Sequence, residues 1–341
     1  MTTIPGLGGI VNVGFTCYAN AVIQAFRQYP KIEKLFKEGK YDTILKDNCK
    51  FNNLTKQFAN MIQTLSTLHS NSSIRPMGFW SAFSESAQNS CFDHLISREP
   101  HDAHEFLMFL LDSLHESLSR NVNMNISKCE LKTERQKSHQ KSLEAWKHNF
   151  EKQYSPFVDM FFGLFHIQII CSECKNVSHN FETFNTLKGV LPEGVSRPTI
   201  LQCLEAELNE EIIEDYECDH CKPKRTKAIR KTKVWKLPQN LIIVLKRFTY
   251  DGRKIHTPIE PVSTILNLES LYSELSPNKN NSSYKVISTV DHHGSSRGGH
   301  YTAQGLHDSE HKWFLYDDQS VNSIDKPMFG ESTYILFLSK L

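Results

Sequence analysis

The sequence is short of the features that would make it a membrane, secreted or fibrous protein. No stretch approaches the roughly 18 consecutive apolar residues of a spanning helix. The opening residues Met1-Thr2-Thr3-Ile4-Pro5-Gly6 lack a basic segment followed by an apolar one, so no secretory leader is expected. Neither sign of charge is in excess. With 39 Lys and Arg against 38 Asp and Glu, the net charge is +1, which gives no support for wholesale binding to nucleic acid or an anionic membrane. Internal repeats are absent too. What the chain does have is apolar bulk: 39% hydrophobic and 11% aromatic residues over 341 positions can bury a sizeable core. That length implies one large domain or two to three packed subdomains. Nine cysteines, in a chain expected in the cytoplasm or nucleus, argue for metal and catalysis before disulfides.

The hydrophobic pattern changes along the chain. Tyr18, Ala21, Val22, Ala25 and Phe26 predict a helix over 17–28 that Pro30 ends. Ala103, Phe106, Leu107, Leu110, Leu111, Leu114 and Leu118 predict another over 102–118, with Asp102 and Glu105 as a capping box. Residues 1–120 thus read as mostly helical. Residues 121–155 read as a polar surface insertion, with some helix from 141 to 152. Strands are expected at Phe161–Ile170, Leu241–Leu245, Tyr284–Val290, Trp313–Tyr316 and Tyr334–Leu338, with a mobile loop over 266–281. Helices first and strands later imply an α+β fold.

Two distant segments carry the chemistry. Cys17 opens its helix, where unsatisfied N–H groups favour a thiolate, and Asn12 stands before a glycine turn as an amide donor for a developing oxyanion. Some 280 residues later His300 follows Gly298 and Gly299 and precedes Tyr301. If the hairpin behind it turns at Asp308-Ser309, His300 lies directly opposite Asp317. That carboxylate would then hold Nδ1–H and leave Nε2 facing the thiol. Glycines at 298 and 299 would let a substrate backbone approach closely. A lone cysteine or a lone hairpin histidine reads as structural; the pair reads as a thiol hydrolase.

Cys171-Ser-Glu-Cys174 and Cys218-Asp-His-Cys221 form two knuckles suited to one tetrahedral, structural Zn²⁺ at the tips of long strand pairs. His179 and His220 are expected to face solvent or lie behind the ligands. The basic run Lys222, Lys224, Arg225, Lys227, Arg230, Lys231, Lys233 and Lys236 alternates with Ala228, Ile229, Val234 and Trp235. That pattern suits a strand with a solvated basic face better than a nucleic-acid site.

Taken in order, the Cys17 box, the helix opening at Asp102, the knuckles, Leu245-Lys246-Arg247-Phe248 and Gly299-His300-Tyr301 followed by Trp313–Asp318 resemble the ubiquitin-specific protease family, from Gly6 to about Leu338. The resemblance implies a single catalytic domain over 1–341, papain-like, with thumb, palm and zinc-binding β fingers. It implies cleavage of the isopeptide or peptide bond after the C-terminal glycine of ubiquitin. Cys17 would be the nucleophile, His300 the base and acid, Asp317 the orienting residue, Asn12 the oxyanion donor and Asp318 a second acid. Asp102 and Glu105 would contact the arginine-bearing ubiquitin tail. Implied partners are ubiquitin and ubiquitinated proteins, with room for an activating or targeting protein, and neither nucleic acid nor membrane. One departure is Glu99-Pro100-His101, where the family usually places glutamine before the aspartate. Rival readings are a protease for a ubiquitin-like modifier, a non-catalytic ubiquitin-binding scaffold and a zinc-containing nucleic-acid binder.

Overall fold

The computed structural model describes residues 4–127, 130–262, 265–280, 282–295 and 298–341. The first half is built on helices. α1 (Cys17–Phe26) begins at the thiol, and every later residue in it is buried. It stops at Phe26, capped by Arg27. Pro30 therefore does not end it; Pro30 opens α2 (Pro30–Lys37), at a position where a missing N–H costs nothing. β1 (Gly9–Ile10) and β2 (Ser73–Ile74) pair in parallel and tie the segment before α1 to the link between α3 (Asn52–Leu65) and α4 (Met77–Ala87). α5 (Ala103–Ser117) buries the expected stripe.

The polar stretch after it is more ordered than its composition suggests. α6 (Glu134–Phe150) starts seven residues before the expected helix at 141, because Thr133 and Gln136 form a reciprocal capping box. It lies outside β4 and buries only Ser138, Ser142 and Phe150, so its polarity marks a solvated helix and not an unstructured insertion.

After α7 (Pro156–Phe161) the chain becomes strands. It runs through β3 (Gly163–Cys171), β4 (Val177–Phe184), β5 (Leu187–Gly189), α8 (Ile200–Glu207), β6 (Glu211–Tyr216), β7 (Thr226–Lys236) and β8 (Asn240–Leu245). It ends with β9 (Ile265–Asn267), β10 (Ser283–Ser295), β11 (Gly298–His307), β12 (Lys312–Asp317), β13 (Ser320–Ile324) and β14 (Thr333–Lys340). Two main sheets result. The fingers run β4-β3-β7-β6, and the palm runs β13-β12-β11-β10-β14-β8-β5, with β9 beside β10. β8 shows why its run Leu-Ile-Ile-Val-Leu does not alternate. Ile242 and Val244 face the helical core; Leu241, Ile243 and Leu245 face a second core under α8. Both faces are covered, as in a buried central strand.

The expected mobile loop over 266–281 is replaced by β9 and by Leu268, Leu271 and Tyr272, all buried; Asn281 lies outside the described residues. No helix among the described residues is long and apolar enough to cross a membrane.

Candidate active site

α1 packs against β10 and β11, and this contact brings the two ends of the chain together. Ahead of Cys17, Asn12 Oδ1 accepts the N–H of Gly14 at 3.0 Å and of Thr16 at 3.1 Å, a side chain folding its own turn. Gly14 and Phe15 both take positive φ there, 116° and 56°, and the Phe15 side chain stays 54% exposed. Asn12 Nδ2 donates to Asp318 Oδ2 at 3.0 Å, and Asn20 Nδ2 donates to Asp318 Oδ1 at 2.7 Å. Ile10 N–H donates to the Asp318 carbonyl at 2.8 Å. Asp318 thus joins the turn to α1 from beneath. Asn20 was not singled out from sequence; its signal was its place three residues beyond Cys17, one turn along the same helix face.

Burial works against the thiolate that the helix position favours. Burial pushes the Cys17 pKa up, and the nearby Asp318 charge adds to this, against the lowering effect of the Tyr301 backbone N–H. Desolvation outweighs the helix terminus.

His300 and Asp317 come together, in a different register from the expected one. The ladder runs from His307↔Lys312 to Ala303↔Tyr316, so the turn sits one residue later than Asp308-Ser309. Asp317 is consequently level with Thr302, diagonal to His300 and not opposite it. A two-residue slip keeps both side chains on one face. Across that diagonal the far ring nitrogen makes the contact: His300 Nε2 lies 2.6 Å from Asp317 Oδ1. The expected assignment of ring nitrogens is reversed, and Nδ1 is the nitrogen left over. The two side chains are 42% and 49% exposed.

Across a cleft of about 290 Å³, Cys17 and Asp102 face Phe248, His292, Gly298 and Tyr301. Asp102 caps α5 by accepting the N–H of His104 at 2.7 Å and Glu105 at 3.1 Å, and it accepts the Tyr334 hydroxyl at 2.8 Å. Burial pushes its pKa up, opposed by that Tyr334 bond. Only half of the expected capping box forms, because the exposed Glu105 turns to His94 at 3.1 Å. The two glycines differ. Gly298 faces open space, as an approaching backbone requires. At Gly299 a Cβ would lie 2.4 Å from His292 Nε2 and 2.3 Å from the His293 carbonyl, so internal crowding demands that glycine.

The four knuckle cysteines converge at the tip of the fingers. Cys171 and Cys221 sulfurs lie 3.8 Å apart, Cys174 and Cys218 sulfurs 3.6 Å, and all four within 4.8 Å of one another. A tetrahedral ion at about 2.3 Å from each sulfur spaces them by about 3.8 Å, so the donor set fits zinc. His220 is exposed. His179 is neither solvent-facing nor behind the ligands: it is buried, 2.8 Å from His166 and 2.8 Å from Glu134. The basic run pairs with acids around β6, including Lys222 with Glu217, Arg225 with Asp215, Lys227 with Glu214 and Arg230 with Glu211. Six of its eight cations are paired with acids in this way, Lys224 with Glu173 and Lys231 with Glu210 completing the set.

Comparison with known proteins agrees with this architecture. The family model described as ubiquitin carboxyl-terminal hydrolase matches residues 8–338. Human ubiquitin carboxyl-terminal hydrolase 2 is 26% identical over 341 residues, covering 97% of this chain and 55% of the human protein. Drosophila melanogaster ubiquitin carboxyl-terminal hydrolase Usp2 is 29% identical over 351 residues, covering 98% and 35%. The chicken (Gallus gallus) hydrolase 2 is 27% identical over 343 residues, covering 98% and 93%. The chain therefore spans about half the human relative's length. Among solved structures, the SAGA Ubp8/Sgf11/Sus1/Sgf73 DUB module bound to ubiquitin aldehyde superposes with TM-score 0.74 at 22% identity, covering 100% of this chain and 71% of that one. A SAGA DUB module bound to monoubiquitin gives 0.75 at 22% identity, covering 100% and 70%. These likenesses speak for the fold. With its family model matched from residue 8 to residue 338, the chain belongs to the ubiquitin carboxyl-terminal hydrolase family.

Proposed function

We propose that this chain is a thiol-dependent deubiquitinase that hydrolyses the bond after the C-terminal glycine of ubiquitin on conjugates in the cytoplasm or nucleus. The observation that carries the reading is the pre-oriented imidazole. With Nε2 committed to Asp317, Nδ1 of His300 keeps its lone pair for the Cys17 proton. Cys17 rests as a neutral thiol, raised by burial, and gives up that proton as sulfur attacks the glycine carbonyl. One Asn12 N–H is held by Asp318; the second donates to the carbonyl oxygen as it becomes negative. Asp318 then acts through Asn12, and Asp317 through His300. Collapse of the intermediate expels the lysine amine, which takes its proton from His300 and leaves a thioester. Water, deprotonated by the same nitrogen, resolves it.

Asp102 and Glu105, at the thumb side, are assigned to the arginine-bearing tail, where charge-assisted hydrogen bonds are strong. Cys171, Cys174, Cys218 and Cys221 would hold one zinc, which supplies structural cross-linking and no open coordination position. The test is covalent capture. A ubiquitin carrying a C-terminal electrophile should label the chain at Cys17, and linkage-defined diubiquitins should be cleaved. Labelling only by a ubiquitin-like modifier would move the reading to that substrate, and no labelling would sink it.

A further inference from the structure

The palm wall of the cleft is made of two connections, and one ammonium joins them. After β8 the chain doubles back so that Phe248 pairs with Lys254 as an isolated antiparallel bridge. Phe248 itself faces the cleft. From the far side of this bend, Lys254 Nζ donates to the carbonyl of His292 at 2.6 Å and of Gly294 at 3.2 Å, at the end of β10. No ion pair to Lys254 is found among the described residues; its charge is spent on carbonyls. Arg247 is used the same way, donating to the carbonyls of Thr333, Ile255, Thr257 and Gly330. A buried or half-buried cation without a carboxylate is costly unless carbonyls surround it, so these two fix the loops that provide them.

His292 is the residue so fixed. Its N–H donates to the Ser332 carbonyl at 2.8 Å, and its own carbonyl is held by Lys254. The residue is only 4% exposed, and its ring sits against Phe248, with centroids 5.3 Å apart, and Tyr301, at 4.5 Å. Its Nδ1 has no partner among the described residues, although the ring lines the cleft. Burial first, then the Lys254 charge, hold this imidazole neutral, with its pKa down to about 4. That nitrogen is itself shut off from solvent, so His292 contributes to the cleft as a fixed piece of wall, held by its backbone anchors and its aromatic neighbours.

We propose that Lys254 is a positioning residue: through the carbonyls of His292 and Gly294 it sets the palm wall that receives the extended, glycine-ended segment of the acyl substrate. This rests on the deubiquitinase reading for the identity of that segment. Because Lys254 touches neither the thiol nor His300 among the described contacts, its loss acts on binding and not on the chemical step.

The experiment compares Lys254→Met and Lys254→Arg with the parent on a ubiquitin C-terminal aminocoumarin substrate. Alkylation of Cys17 by iodoacetamide and Tm serve as controls. Lys254→Met is expected to raise KM about tenfold, to leave kcat within about threefold and to leave alkylation unchanged, with Lys254→Arg restoring most of the KM. Unchanged KM, or kcat and alkylation falling together with it, overturns the proposal. Should Lys254→Met fail to fold, Lys254→Gln carries the same comparison. Hydrogen exchange on the substrate-free protein gives an independent readout: amides of 292–295 should exchange faster in Lys254→Met and recover in Lys254→Arg. Unchanged exchange overturns the strap. If the parent does not turn over the ubiquitin substrate at all, the deubiquitinase reading fails, and exchange alone still decides the strap.

Discussion

Palm and fingers are both antiparallel sheet in the main, yet they are held together by different physics. In the palm, β8 is buried at every position, between a helical core on one face and the α8 core on the other. In the fingers, β6 buries no residue, Ile212 stays 69% exposed, and β7 is largely half-buried. The palm is stabilised by apolar area removed from water, at roughly 25 cal/mol per Å². The fingers have little such area to remove. Their outer end relies on surface ion pairs, each worth about 0–1 kcal/mol, and on the cysteine cluster. The two sites differ accordingly. The proposed catalytic pair, His300 and Asp317, is half-exposed and carried by the palm sheet, whereas the four clustered cysteines sit at the end of a region with few buried residues of its own.

That contrast predicts opposite responses to opposite substitutions. Cys17→Ala should lower turnover by at least about 10⁴-fold while leaving Tm within about a degree of the parent. Residual probe labelling in that variant would remove Cys17 from the chemistry. Within the same network, Asp317→Ala should cost about 10³-fold in kcat/KM and Asp318→Ala about 10²-fold, since the first leaves the proposed base His300 unoriented and the second leaves the proposed donor Asn12 unanchored. The reverse order would mean that holding Asn12 and Asn20 matters more than orienting His300.

The fingers should answer in stability. Elemental analysis should find about one zinc per chain, and Cys218→Ser should lower Tm by roughly 5 °C or more. Iodoacetamide should still modify Cys17 in that variant at the parental rate. A metal-free protein with parental Tm would erase the contrast between the regions.

Two pH effects sharpen it further. Because burial raises the Cys17 pKa, alkylation of the free enzyme should rise about tenfold per pH unit and continue rising past pH 9. A rate already level near pH 6 would mean that the thiol rests as an ion pair. At the base of the fingers, burial and then the His179 charge hold His166 down to about pKa 4, below the roughly 6.5 of an unfolded histidine. The unfolded chain takes up the proton first as pH falls, so this stability is present above about pH 6.5 and is lost toward pH 4. Tm should therefore drop a few degrees between pH 7 and 5, and His166→Gln should make that slope shallower. An identical slope would assign the effect to other histidines.

Much of the site was legible because its signals are local. Cys17 at a helix start, the period of α5 and the paired knuckles each need only a few neighbouring residues. What resisted reading depended on geometry across elements. The hairpin turn, His307-Asp308-Ser309-Glu310-His311, contains no glycine to mark its centre, and His311 takes the left-handed φ of 52° instead. The register was therefore off by two, and the even slip kept Asp317 on the correct face while swapping the ring nitrogens. α6 was underread because a helix on the outside has no apolar stripe to detect. The effect of burial on Cys17 could not be read, because a sequence displays the helix start and conceals the depth at which the thiol lies.

The hydrogen bond from Asn12 to Asp318 joins residues 306 positions apart. On a ribosome adding about 5–20 residues per second, Cys17 is synthesised roughly 15–60 s before Asp317 and Asp318. Throughout that interval the nascent chain has its thiol but neither its base nor the acid that steadies Asn12. On the proposed reading, competence is acquired only once β11 and β12 have both been made, so products that stop short of Asp318 would be inert.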